Sequence, residues 1–199
     1  MDSRFRGNDG CLEIAQMLLF QKAEISDAET IAQLINSAYR GEESRKGWTT
    51  EADILDGLRT TTADVAKIIK RNDAFILIGV LNYQIVATIC CELQILAGDN
   101  TAHFGMIAVK PTLQNKSYGK QIIKAAELMT QRHWHAVGFS MAVISIRYEL
   151  IAFYEKLGYQ RTGEFKGFPV KPEMWQRKVE ALNLQVLAKL VEAKRMEIV

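Results

Sequence analysis

The chain has little cysteine, almost no surplus of charge and no long hydrophobic run, and each shortage excludes a class of function. Three cysteines, Cys11, Cys90 and Cys91, stand among 199 residues. An odd count with two adjacent members is not a disulfide framework. No C-x-x-C pair or His/Cys cluster has zinc-ligand spacing, so no metal is expected. Cys90 and Cys91 read as small strand-filling residues. His133 and His135 flank Trp134, but side chains two apart on a helix face different sides. The net charge is +2 and no basic run accompanies it, which gives no footing for a nucleic-acid partner. No segment is apolar over the length a bilayer requires, so no membrane partner is expected either. Internal repeats and low-complexity segments are absent.

What is present is ordinary for a single globular unit: 48% apolar and 24% charged residues, enough for one domain with a sizeable core. Residues 1–17 form a polar extension expected to be disordered, and residues 18–199 the domain. Met17 is a second candidate start, since the strand-like LLFQKAEI follows at once. Asp2, Asp9 and Glu13 break any resemblance to a secretory leader, so the expected location is cytoplasmic.

Residues 18–25 read as a first strand. Ser26 or Asp27 can cap a helix reaching Tyr39, with Ile31, Leu34, Ile35 and Ala38 on one face. The segment 40–50 reads as loop, and Thr49 or Thr50 can cap a short helix, EADILDGL. A helix over 62–71 is followed by three strands at 74–81, 84–93 and 101–109. Asn82-Tyr83 and Ala97-Gly98-Asp99-Asn100 are their turns. A helix to about His133, a strand at 139–144, a helix at 147–157 with Gly158 at its C′ position, and a strand at 159–163 complete the pattern. Residues 181–194 fit a strand and a helix equally well. This order implies an α/β fold: a mixed, mostly antiparallel sheet of about seven strands flanked by helices on both faces.

The stretch VKPTLQNKSYGKQII, residues 109–123, joins a strand to a helix through Gln114, Asn115, Lys116, Ser117, Tyr118, Gly119 and Lys120. Free N–H groups and the dipole at a helix start attract anions, and two lysines add charge. On these residues alone a solvated polar turn is at least as good a reading. Neither G-x-x-x-x-G-K-[ST] nor G-x-G-x-x-G occurs.

Residues 114–119 match the Q/R-x-x-G-x-G/A signature of the GNAT family of N-acetyltransferases, with Ser117 in place of the first glycine. GMIAVKP (105–111) resembles that family's fourth strand, and ELIAFYEKLGYQRTGE (149–164) its last helix and following strand. The resemblance spans roughly residues 21–167.

It implies an acetyl-CoA-dependent transfer of an acetyl group to a small amine or a protein amino group, by direct attack in a ternary complex. The fourth and fifth strands would part, the pantetheine arm would lie on Ile107, Ala108 and Val109, and the pyrophosphate on the N–H groups of Gln114 to Lys120. A positive φ at residue 117 would strain serine; otherwise its hydroxyl could face phosphate. Tyr154 matches the family's acid near the sulfur, and the base would be Glu92 or His103. Arg147 stands where relatives carry an asparagine, within an S-x-R-x-E-L pattern, and could reach a CoA phosphate or pair with Glu149. GWTTEADILDG (47–57) falls in the acceptor wall, and Trp48 reads as binding surface or core cap. A non-catalytic acyl-CoA-binding module on the same fold is the alternative. A homodimer through a sheet edge or the tail is compatible with the sequence.

Overall fold

Two tight turns set the register of the central strands. Asn82 and Tyr83 both take positive φ (48° and 63°), and so do Ala97 and Gly98 (53° and 93°). Two successive left-handed residues match the right-handed twist of the strands they connect. They join β3 (Ala74–Leu81), β4 (Gln84–Leu96) and β5 (Asp99–Val109) into an antiparallel meander, pairing Leu81 with Gln84 and Leu96 with Asp99. Alternation then sorts the side chains. Phe75, Leu77, Ile89, Cys91, Ala102 and Phe104 join one core cluster, and Ile76, Ile78 and Cys90 another.

The computed structural model describes residues 18–191. The polar extension of residues 1–17 and the end of the chain lie outside them. Around the meander stand β1 (Leu19–Lys22), β6 (Gly138–Ile144), β7 (Gln160–Gly167) and β9 (Asn183–Leu190). The order across the sheet is β1-β3-β4-β5-β6-β9-β7, antiparallel except for β5 with β6. A separate two-stranded ribbon pairs β2 (Leu55–Gly57) with β8 (Trp175–Arg177).

Helices cover both faces. On one, α1 (Ala28–Tyr39) and α3 (Thr62–Ile69) bring Ile31, Ile35, Ala38 and Val65 onto Ile76 and Ile78. Thr61 caps α3 by accepting from the Asp64 N–H at 3.1 Å. On the other, α4 (Tyr118–Trp134) and α5 (Tyr148–Glu155) seat Ile122, Ile123, Ala126 and Ile151 on the strands. Gly158, at φ 91°, ends the α5 segment in the left-handed conformation expected of it. Ile35 and Ile89 are fully buried, so truncating either to alanine costs about 2–5 kcal/mol. Among the described residues no helix is long and apolar enough to cross a membrane.

Two local expectations are corrected. Residues 51–58 are not a helix: a turn leads into β2, whose Leu55 is buried with Ile144, Trp175 and Leu182. Gly57 sits at φ 91°, and a Cβ there would collide with the Met174 carbonyl. The partner strand lies over a hundred residues away, so local periodicity cannot reveal it. The segment 40–50, expected as plain loop, contains a short helix, α2 (Gly41–Ser44). At the other end, residues 183–190 resolve as strand β9. Gln185, Val186 and Leu187 are buried in succession because β9 has a strand on each side. Such a strand loses the alternation that would distinguish it from a helix.

Candidate active site

The parallel pairing of β5 with β6 runs only from Thr101–Gly138 to Phe104–Met141. Beyond it the strands part. A bulge in β5 accompanies the break: its register against β4 shifts between Thr88 and Cys90, and Met106 takes φ 48°. The edge of residues 105–109 that β6 leaves faces a cleft in two halves. One half, about 240 Å³, runs along Trp48, Val109, the 114–120 loop and Phe153. The other, about 110 Å³, lies between Phe104, Met141, Val143, Arg59, Glu51, Phe168 and Trp175. Tyr39, Ile107, Leu150 and Tyr154 line both, so the halves meet at those four side chains. The Tyr39 hydroxyl donates to the Ile107 carbonyl at 2.6 Å and fixes the bulged strand at this junction.

The loop closes the larger half. After a 3-10 turn over Pro111–Leu113, Asn115 takes φ 65° and Ser117 φ 62°, ψ 7°, directly before α4. Alternating left- and right-handed residues turn successive N–H groups toward one side, a concavity suited to anions. Among the described residues, the N–H groups of residues 115–120 find no hydrogen-bond acceptor. Lys120 lines the same cavity. Those donors, the helix start and the cation together fit a pyrophosphate.

Ser117 therefore occupies the left-handed region, and its side chain makes no capping bond. Gln114 does something different from the rest of its motif. Its Oε1 accepts from the Trp48 N–H at 2.9 Å, while Nε2 donates to Thr49 Oγ1 at 2.8 Å and to the Val109 carbonyl at 3.2 Å. It clamps the 47–50 segment against the end of β5.

Comparison with known proteins agrees with this geometry. The family model described as "Acetyltransferase (GNAT) domain" matches residues 72–161, which run from β3 through α5 and include the parted strands and the loop. Residues 72–161 are thus similar to a GNAT acetyltransferase domain. No curated protein matches the chain in sequence. Solved structures match its fold. The GNAT-family acetyltransferase from Streptococcus pneumoniae is 16% identical, with 87% of this chain and 99% of that one covered and a TM-score of 0.63. The ribosomal-protein-S18-alanine N-acetyltransferase from Escherichia coli is 13% identical, covers 92% and 99%, and scores 0.62. The spermidine/spermine N-acetyltransferase from Vibrio cholerae is 14% identical, covers 88% and 94%, and scores 0.62.

Within the matched residues the expected site residues separate into two groups. Ile107, Val109, Gln114, Asn115, Ser117, Tyr118, Gly119, Lys120 and Tyr154 all line the larger half. Ala108 points the other way, into the α1 core, and Lys116 lies outside the cavity wall. Tyr154 is buried, and burial is the main reason its hydroxyl is held well above the usual phenol range. Among the described residues that hydroxyl has no hydrogen-bond partner.

Glu92 and His103 are brought together, but not at the cleft. They are cross-strand partners on β4 and β5, on the sheet face of Cys90. Glu92 lies 3.3 Å from Arg71, and His103 Nδ1 lies 3.0 Å from Ser140 Oγ. Neither lines either half. Their position at the end of the meander lies before the strands part.

Arg147 is likewise redirected. Its guanidinium donates to the carbonyls of Trp48 (3.1 Å), Thr49 (3.3 Å) and Thr50 (2.8 Å), and to Glu149 at 2.6 Å. It is buried and lines the smaller half of the cleft, not the half that carries the loop. Trp48 satisfies both of its readings, since it lines the larger half and stacks edge-on against Phe153 at 5.5 Å.

Three cleft residues escape sequence reasoning. Tyr39 continues the Ile31–Ile35 stripe at helical spacing and so reads as core. Glu51 falls in the acceptor-wall segment, but its burial against Arg40 depends on the tertiary fold. Arg59 follows that segment with no pattern around it.

Proposed function

We propose that the protein is an N-acetyltransferase that uses acetyl-CoA and acetylates an amine by direct attack in a ternary complex. One observation carries the reading: the two halves of the cleft meet at Tyr39, Ile107, Leu150 and Tyr154, between the parted strands and beside a loop of unbonded N–H groups. Such a passage admits a thioester from one side and an amine from the other. In this reading the domain extends beyond the matched residues, from residue 18 onward, supported by β1 and β9, which belong to the same sheet.

In this reading the larger half takes the CoA arm. The N–H groups of residues 115–120 hold the pyrophosphate, and the free edge of β5 beside Ile107 and Val109 pairs with the pantetheine amides. Backbone N–H groups of that edge polarise the thioester carbonyl. The amine nitrogen bonds to the acetyl carbon, the C–S bond breaks, and the proton lost from nitrogen is balanced by one gained at sulfur. Tyr154, kept protonated by burial, donates to the leaving sulfur. Glu51, the carboxylate lining the smaller half, accepts the amine proton. Fold neighbours named for a ribosomal-protein alanine and for spermidine/spermine support both protein and small-molecule amines as acceptor types. A cytoplasmic location belongs to the same proposal, supported by the free thiols of Cys90 and Cys91.

Incubation with acetyl-CoA and a panel of amines, with thiol release followed, tests it. Turnover that collapses in Tyr154→Phe supports catalysis. CoA binding without turnover on any amine would leave only an acyl-CoA-binding module.

A further inference from the structure

The charged groups of the acceptor half do not cancel. Three line it: Glu51, Arg59 and Arg147. Glu51 is buried in an ion pair with Arg40, whose other donors, Nε and Nη2, have no partner. Arg147 is matched by Glu149 at 2.6 Å and by three carbonyls. Arg59 has no acidic partner among the described residues, so the cavity carries one uncompensated positive charge.

That cation is placed, not loose. Asn36 Oδ1 accepts from the N–H groups of Arg59 (2.7 Å) and Thr60 (3.2 Å), and Asn36 Nδ2 donates to the Thr60 carbonyl at 3.0 Å. Thr60 is buried. The guanidinium lies over the Tyr39 ring, 5.8 Å from its centroid, and the hydroxyl of the same ring holds Ile107 at the junction. One tyrosine ring therefore separates the free cation from the point where the two halves meet. Other acids do not neutralise it: Asp56 is held by Lys178 at 2.7 Å, Asp64 accepts from Thr61 Oγ1 at 2.8 Å, and Glu173 and Glu180 are exposed and line no part of the cavity. Two more cations rest on aromatic rings of this wall, Lys171 over Trp175 at 5.6 Å and Arg177 over Phe168 at 5.7 Å. The remaining wall is apolar: Phe104, Met141, Val143 and Leu184.

We infer that the acceptor is a compact amine with an apolar body and a carboxylate a few bonds from its nitrogen, an amino-acid-like molecule, with Arg59 as the residue that selects it. A polyamine is the opposite of this class. Its second ammonium would sit at Arg59, where a like charge in a narrow cavity disfavours binding. The inference rests on the transferase reading above.

The test uses amine pairs that differ only in the carboxylate, phenylalanine with phenethylamine and leucine with isoamylamine, together with spermidine. Thiol release from acetyl-CoA is followed for each. The carboxylate member is expected to be favoured in kcat/KM by roughly tenfold or more, the scale of one charge-assisted hydrogen bond. In Arg59→Gln the two members should fall within about twofold of each other, while Lys171→Gln keeps most of the preference. Equal or better turnover of phenethylamine or spermidine by the parent protein overturns the inference and leaves the transferase reading standing. If no amine turns over, the transferase reading fails, and calorimetric binding of the same pairs to the CoA-loaded protein decides the rest. A carboxylate preference lost in Arg59→Gln then still supports the site, and no preference ends it.

Discussion

The side chain of Gln114 is bound to the main chain of Trp48, across 66 residues of sequence: its Oε1 accepts from the Trp48 N–H at 2.9 Å. The contact is tight enough to dictate the residue before Trp48. A Cβ on Gly47 would lie 2.7 Å from the Gln114 amide atoms. Gln114→Ala should lower stability by about 1 kcal/mol for each hydrogen bond lost and weaken CoA binding, because Trp48 forms part of the cavity wall. Gly47→Ala should do the same by pushing the amide away. Thermal unfolding and a CoA titration of both variants check it. A normal CoA affinity in both would mean that the clamp does not shape the site.

Ser117→Gly should stabilise the protein. A left-handed conformation costs a non-glycine residue about 1–2 kcal/mol, and the serine side chain makes no capping bond in return. The melting temperature should rise by about 2–4 °C per kcal/mol recovered in a chain of this size. CoA affinity should hold or improve. Weaker CoA binding would instead identify the hydroxyl as a phosphate contact.

Tyr154→Phe should reduce kcat by about a hundredfold, the low end of what a positioned proton donor contributes. Its hydroxyl holds no other group in place, so CoA affinity and melting temperature should stay near the parent values. A comparable loss in both kcat and CoA affinity would point to packing instead of proton transfer.

Arg147→Lys distinguishes two roles. A phosphate ligand would lose CoA affinity at unchanged stability. An arginine that ties three successive carbonyls to the start of α5 should lose both, by about 3 kcal/mol or more in stability, since lysine cannot reproduce the planar fork and the carbonyls lose their donors.

The pH dependence of stability has two limbs. Tyr39 is pushed up to about 12 and Tyr154 further, in both cases chiefly by burial. An unfolded tyrosine ionises near 10, so above about pH 10 the unfolded chain gives up protons that the folded one keeps. The contribution of these phenols is complete below about pH 10 and falls as pH rises past it. His103 is lowered, first by burial. An unfolded imidazole takes its proton near 6.5, so the contribution of His103 is complete above about pH 6.5 and is lost as pH falls through its folded value. Melting curves from pH 7 to 5 should show a shallower loss in His103→Gln than in the parent.

How far the sequence could be read depended on the distance over which each feature is determined. The meander was legible because Asn82-Tyr83 and Ala97-Gly98 act through their own φ values. The 114–119 motif was legible because its spacing is local. The β2–β8 ribbon was not, because Leu55 finds Trp175 only after the chain folds back. Gln114 was found for its place in a motif, but its partners at Trp48 and Thr49 are tertiary. The same holds for Glu92 and His103. Their strands were correctly placed, yet where β5 leaves β6 depends on a bulge at Met106 that no residue type announces.

The wall of the cleft depends on a late arrival. On its far side, β6 pairs only with β9, from Gly138–Leu190 to Ile144–Leu184, and β9 is the last strand described. A chain emerging from the ribosome can complete the β3–β4–β5 meander long before residues 183–190 exist. Until they do, β6 has one short parallel partner and β7 has none. A half-synthesised chain therefore has the loop but not the opposing wall, and a product cut short at residue 182 would expose the edges of two strands instead of a working passage.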